Sequence, residues 1–353
     1  MQSPLDLAAA YFDADKFDDC ERMCLDVLRA QPGHPLALGL LAAVANSRRN
    51  YRRAVTLADQ AIAAAGGLAW IHVEKAAALN ALGQHVKAAA AARAAVDIDP
   101  DVPRGYSLLA RALMPGEPYR DLIQRVHDWI APASYVEIGV ATGATMALAR
   151  PPCVCVGIDP KPALQNPVAA VTKIFPLASD DYFARRDLRT DLEADGAELA
   201  FIDGLHEFTQ ALRDFINLER FAQSNTVVLI HDCIPIDART AIADRRTSFW
   251  TGDVWKLIAA LLKWRPDLDV QSVATPPSGL GVVCRLDPAS RILSDNYDAI
   301  VAEFAAQSPP ETLADRRRRL AMTENDWGKI AARIARATGR KPPSGGKRFS
   351  PSP

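Results

Sequence analysis

The stretch SYVEIGVATGATMALARPPCVCVGID, Ser134 to Asp159, decides the fold. Tyr135 to Gly139 is a short apolar run with Val and Ile, closed by Gly, the pattern of a buried parallel strand. Gly139-Val140-Ala141-Thr142-Gly143 turns tightly, and Ala144 to Arg150 reads as a helix. A second β-branched run, Val154 to Ile158, ends in Asp159. Strand, glycine turn, helix, strand, acid is half of a doubly wound α/β sheet. Gly139 and Gly143 let backbone approach a ligand closely, because no Cβ intervenes. A helix start beyond the turn offers unpaired N–H groups at the mouth of the sheet. A carboxylate at Asp159 is placed to accept hydrogen bonds from both hydroxyls of a ribose. Two other readings stay open, a turn of this shape without a ligand and a dinucleotide site. The latter wants G-x-G-x-x-G, whereas Ala141 holds the middle position and the spacing is G-x-x-x-G.

Glu137 precedes the first of these glycines by two residues. The pattern E-x-G-x-x-x-G followed by a strand-end Asp resembles the first two motifs of class I S-adenosylmethionine methyltransferases. That resemblance implies cofactor contacts at Glu137, Gly139 and Gly143, near the methionine end, and at Asp159 on the ribose. An acid past the third strand, Val171 to Phe175, would lie beside the adenine, which makes Asp180 a further contact. A helix cap formed by Ser179 or Asp180 is the competing reading.

Further along, Glu198 to Ile202 reads as a buried fourth strand followed by Asp203-Gly204-Leu205-His206-Glu207. Phe208 to Phe221 has apolar residues on one helix face. Thr226 to Ile230 is a fifth strand running into His231-Asp232-Cys233. In open parallel sheets the ligand sits beyond the carboxyl ends of the strands, where Asp159, Asp203, His206, His231 and Asp232 all fall. FIDGLHEFTQALRDF, then VVLIHD, then Phe249 to Lys256 resemble methyltransferase family 24, over roughly residues 119 to 287. By that resemblance Asp203 and Asp232 bind a divalent cation such as Mg2+, and His206 is the base. The chemistry is consistent. A hydroxyl is a poor nucleophile until it loses its proton; a hard cation held by carboxylates lowers its pKa, and an imidazole can take the proton. A capping or structural role for His206 stays open, and His231 reads equally as a ligand, a second base or an orienting residue.

The rest of that segment reads as a helix from Trp250 to Trp264, with Trp255 in the core and Trp250 and Asp253 toward the acceptor. The edge hairpin, Val270 to Ala274 with Gly281 to Arg285, gives by resemblance a seven-stranded sheet whose last strand is antiparallel. Ile236 to Ser248, with Arg239, Arg245 and Arg246, is either a lid or a solvated loop.

Residues 1 to about 113 carry helical periodicity without a strand signal. Phe17, Tyr51 and His85 are 34 apart, as are Ala8, Ala42, Ala76 and Ala110, while Pro32, Gly66 and Pro100 mark one phase where a helix stops. Cys20, Ala54 and Ala88 share a second small-residue position, which lets paired helices approach. A helix-turn-helix period of this length resembles the tetratricopeptide repeat: three repeats and a capping helix, Pro103 to Met114. Stacked repeats of this class imply a peptide or protein partner.

The expected organisation is therefore α/β with an all-α front: repeats over 1–114, a Rossmann-like methyltransferase domain over 119–287, C-terminal helices over 288–340, and a disordered Pro/Gly/Ser tail over 341–353. The C-terminal helices read as Ser290 to Gln307 and Leu313 to Thr338, with Arg316 to Arg319 on a solvated face. A net charge of −1 over 353 residues gives no support for nucleic acid or a membrane surface. No apolar run reaches the length of a membrane span, and no signal peptide is evident. Six scattered cysteines read as reduced thiols in a cytoplasm. The expected activity is O-methylation of a small hydroxylated or glycan-type acceptor; the alternative is a scaffold whose sheet domain is catalytically silent.

Overall fold

A computed structural model describes residues 3–343. The expected tail, beyond residue 343, lies outside the described residues. The chain forms two compact units: one runs to Pro115 and takes in Thr247–Phe249, the other is Gly116–Arg246 with the chain from Trp250 onward.

The first unit is three helical hairpins and a closing helix: α1 Pro4–Asp13 and α2 Phe17–Ala30, α3 Pro35–Ser47 and α4 Tyr51–Ala64, α5 Ala69–Ala81 and α6 His85–Ile98, then α7 Gly105–Leu113. The 34-residue period is physical. Phe17, Tyr51 and His85 are the first residues of α2, α4 and α6. Ala8, Ala42, Ala76 and Ala110, and likewise Cys20, Ala54 and Ala88, are completely buried where helices cross. Larger side chains there would push the helices apart. The turn inside each hairpin also repeats: Asp15, Arg49 and Gly83 all have positive φ, at 56°, 58° and 70°. Asn46 Nδ2 donates to the Glu74 carbonyl at 2.9 Å and Asn80 Nδ2 to the Leu108 carbonyl at 3.0 Å, stapling one repeat to the next.

The second unit opens with α8 Tyr119–Ile130, then β1 Ser134–Ile138, β2 Val154–Ile158 and β3 Val171–Phe175. Next come α9 Ser179–Arg185, α10 Leu188–Leu192, β4 Ala197–Ile202, α11 Phe208–Glu219, β5 Ala222–His231 and α12 Trp255–Trp264. The chain closes with β6 Asp269–Val273, β7 Leu280–Cys284, α13 Ile292–Asp295, α14 Tyr297–Ala305, α15 Leu313–Arg319, β8 Met322–Thr323 and α16 Trp327–Thr338. Strand order is β3-β2-β1-β4-β5-β7-β6-β8. The first five are parallel, and β7 runs antiparallel between β5 and β6. The order reverses at β1, so the loops after β1 and β4 flank the crevice where such sheets bind ligands.

The sheet has eight strands, not the seven expected. Its final strand, β8, pairs parallel to β6 through Ser272–Met322 and Val273–Thr323. It is two residues long, too short to carry an alternating pattern, and it interrupts what reads as one helix from Leu313 to Thr338. Asp326 starts α16 by accepting from the Lys329 N–H at 3.2 Å. The helix expected from Ala144 to Arg150 is a single 3₁₀ turn, Met146–Leu148. Pro151 forces the residue before it out of helical conformation, which leaves too little chain for more than one turn. The expected Ser290–Gln307 helix is two pieces, α13 and α14. Arg316 does not face solvent: it is 4% exposed and donates from Nη2 to the Ile236 carbonyl at 2.9 Å. Trp255 is fully buried, as expected. Ile330 and Ile334 of α16 join Leu122, Val126, Phe201 and Leu229 in the core against the sheet.

Candidate functional site

β1, β2, β4 and β5 are parallel, so their carboxyl ends share a rim. Gly139 follows β1, Asp159 follows β2, Asp203 follows β4, and His231–Asp232 ends β5. Contacts connect these positions. The Asp203 N–H donates to the Ile138 carbonyl at 2.8 Å, and the Gly139 N–H to Ile158 at 2.9 Å. Gly139 has φ +88°, and a Cβ there would lie 2.1 Å from the Asp203 carbonyl oxygen. Glycine is therefore required both by conformation and by the closeness of the β4 tip. The Asp159 carboxylate accepts from the Ala141 N–H at 2.8 Å and the Lys161 N–H at 2.7 Å, so it braces the glycine turn. Gly143 is also left-handed, at φ +73°, and abuts the Leu164 side chain.

Glu137 is fully buried, with its oxygens bonded by the Tyr135 hydroxyl at 2.6 Å and the Thr145 hydroxyl at 2.5 Å. Asp180 lies in the first turn of α9, where its carboxylate is held by Arg213 Nε at 2.9 Å and Gln210 Nε2 at 3.3 Å. The cap of α9 is Ala178 without a side-chain bond, so neither Ser179 nor Asp180 caps it; Ser179 Oγ instead donates to Asp214 at 2.5 Å.

Asp203, His206 and Asp232 form one cluster, each offering a ligand atom within 4.8 Å of the others. His206 Nδ1 is 3.1 Å from Asp232 Oδ2, and its Nε2 is 3.7 Å from Asp203 Oδ1. Asp232 adopts φ +57°, a conformation Asp tolerates better than most residues. Its Oδ2 is buried yet meets no donor at a hydrogen-bonding angle. An orphaned carboxylate oxygen, beside a second carboxylate and an imidazole, is a donor set that fits a divalent cation. His231 stands behind: Nδ1 is 3.0 Å from Asp203 Oδ1, and Nε2 is 3.2 Å from the Ser278 hydroxyl. Burial works against its charged form, but the Asp232 and Asp203 carboxylates outweigh that and raise the imidazole well above its usual range. Asp232 is penalised by burial too, and the neighbouring His231 charge more than offsets this, holding its carboxyl below the ordinary value.

The segment after the long loop closes around His206. Trp250 stacks on its imidazole, centroids 5.2 Å apart and planes at 21°. The Trp250 carbonyl lies 3.4 Å from Nδ1. Gly252, at φ +61°, passes so close that a Cβ would sit 1.7 Å from the His206 carbonyl oxygen. Asp253, not His206, bonds the start of the helix: its Oδ1 accepts from the Phe208 N–H at 2.7 Å, while Oδ2 pairs with buried Lys256 at 2.9 Å. Trp250 and Asp253 thus hold the site's framework. Ser278, from the β6–β7 connection, joins the site without any local sequence signal.

Residues 136–233, from β1 to just past β5, match the family model described as "Methyltransferase domain", family 24. This part of the chain is similar to a methyltransferase domain. No curated protein matches the chain. Among solved structures, the second TPR domain of human RPAP3, bound to an HSP70 peptide, is 17% identical, covering 31% of this chain and 92% of its own, with a TM-score of 0.29. MamA of Desulfovibrio magneticus RS-1 is 22% identical over 31% of this chain and 62% of its own, TM-score 0.29. A mutant O-GlcNAc transferase of Thermobaculum terrenum is 19% identical over 56% and 44%, TM-score 0.31. At such scores the repeats are better identified by their own period, since the helices themselves recur every 34 residues. Ahead of the matched residues, then, stand tetratricopeptide-like repeats. Among the described residues no helix is long and apolar enough to cross a membrane.

Proposed function

We propose that the chain is an S-adenosylmethionine-dependent methyltransferase acting on a hydroxyl oxygen of a small polyhydroxylated or glycan-type acceptor, with a divalent cation such as Mg2+ held by Asp203 and Asp232. One observation carries this reading: Asp203, His206 and Asp232 converge at the rim that also bears Gly139 and Asp159, with a buried Asp232 oxygen left without a donor. Gly139 and Gly143 give the turn its left-handed bends where the cofactor would lie, with Glu137 behind the turn. Asp159 serves the ribose, and Asp180 the adenine end.

A bound divalent cation there would lower the pKa of a coordinated hydroxyl. His206, its ring plane fixed by Trp250, takes the acceptor proton. The remaining work is alignment of the oxygen with the sulfonium methyl, which enclosure by the β4 and β5 tips supports. The repeats supply a face for a peptide or protein partner. Six buried thiols, none in a disulfide, fit a reducing cytoplasm.

The test is thermal unfolding of the full chain with S-adenosylmethionine, with and without Mg2+, followed by a methyl-donor consumption screen over metabolite extracts. S-adenosylmethionine should raise the midpoint, and Mg2+ should add to the shift. Asp203→Asn should abolish turnover while S-adenosylmethionine still binds. No stabilisation by S-adenosylmethionine would sink the enzyme reading and leave a scaffold.

A further inference from the structure

We propose that His231 is a positioning residue for Asp203, neither a metal ligand nor a base, and that Ser278 and Tyr119 fix it in that role. The inference rests on the cation reading above and goes beyond it. Both ring nitrogens are already engaged. Nδ1 faces Asp203 Oδ1 at 3.0 Å and Nε2 faces the Ser278 hydroxyl at 3.2 Å. An ionised carboxylate only accepts, so Nδ1 carries the proton whatever the charge of the ring. Nε2 then accepts from Ser278 when the ring is neutral and donates to it when the ring is charged. No nitrogen is left for a cation or an acceptor.

The partner is Asp203, not Asp232. Asp232 Oδ2 is farther from Nδ1, at 3.5 Å, and makes no hydrogen bond. The ring cannot swing away. Tyr119 packs on it with centroids 4.1 Å apart, and the Tyr119 N–H is tied to the Pro276 carbonyl at 3.2 Å, in the same β6–β7 connection that bears Ser278. The Ser278 carbonyl in turn accepts from the Ile234 N–H at 2.8 Å, which ties that connection to the end of β5. Ser278 is completely buried. His231 therefore takes up one lone pair of Oδ1 and sets the rotamer of Asp203, leaving the remaining lone pairs toward His206 and Asp232. Outer groups of this kind orient ligating carboxylates and tune their affinity.

Mn2+ affinity of the full chain, measured by calorimetry beside S-adenosylmethionine affinity and the melting midpoint, tests this. His231→Ala should weaken Mn2+ binding about 10- to 100-fold. His231→Asn places an amide N–H near the position of Nδ1 and should stay within about threefold of the parent, the rescue expected of a donor to Asp203. Ser278→Ala removes one hydroxyl and should cost about threefold or more, reading the same chain of bonds if the alanine variant at 231 does not fold. S-adenosylmethionine affinity should be unchanged in all three. Parental Mn2+ affinity in His231→Ala or Ser278→Ala would overturn the proposal while the cation reading stands. Equal losses in His231→Asn and His231→Ala, at unchanged midpoint, would also overturn it. A parent chain that binds S-adenosylmethionine but no Mn2+ would overturn the cation reading, and this proposal with it.

Discussion

Glu137 lies farthest from water of the acids near the rim. Its carboxyl is pushed up to about 8, first by burial, against the pull of the Thr145 and Tyr135 hydroxyls and with the charges of Asp203 and Asp159 adding to the rise. A folded-state pKa raised above the unfolded one means that the stabilising contribution is full below about 4.5 and is lost as pH rises toward 8. Glu137→Gln keeps the shape without the proton. Its melting midpoint should match the parent at pH 4 and exceed it increasingly up to pH 8; parallel curves would refute the buried neutral acid. Gly139→Ala puts a methyl group against the Asp203 carbonyl in a left-handed conformation. It should cost about 3 kcal/mol in chemical denaturation, and more than a Gly→Ala change at exposed Gly67. Asp203, His206 and Asp232 were legible in the sequence because each follows a buried run at a strand end. Their partners were not. Ser278 and Tyr119 reach the site through tertiary packing, and nothing local to those residues marks them; Trp250 was expected toward the acceptor, but its stacking on His206 was not.

At the level of elements, the repeat was legible because small residues recur wherever two helices cross. The left-handed turn inside each hairpin was hidden, since Asp15, Arg49 and Gly83 share a conformation but no chemistry. Only Gly83 adopts it without steric cost. Arg49→Gly should therefore stabilise the repeat unit by about 0.5 kcal/mol, seen as a raised denaturation midpoint; a loss would mean that the Arg side chain matters more than its backbone strain. Three departures have identifiable causes. Pro151 cut the helix expected after the glycine turn. An aspartate cap at Asp326 restarted the chain after β8. Arg316, read from composition as solvated, is buried because its guanidinium supplies a donor to the Ile236 carbonyl.

Across the whole molecule, the two units are built on separate cores. The repeat clusters around Leu41, Ile71 and Ala54 draw only on residues before Pro115, while the sheet core runs from Tyr119 to Ile334. A fragment of residues 3–115 should fold alone, giving a helical circular dichroism spectrum and a single cooperative melt; a gradual, featureless melt would show that it depends on the rest of the chain. Among the C-terminal helices, α16 closes the core against the sheet with Ile330 and Ile334.

The contact between Gly139 and the β4 tip has a mechanical consequence. With no atom to spare between the two backbones, one wall of the crevice cannot slide past the other. Whatever docks on each side is held at one fixed spacing, and a lineage seeking to accommodate bulkier guests would have to remodel the longer loops around the crevice, because its floor is welded.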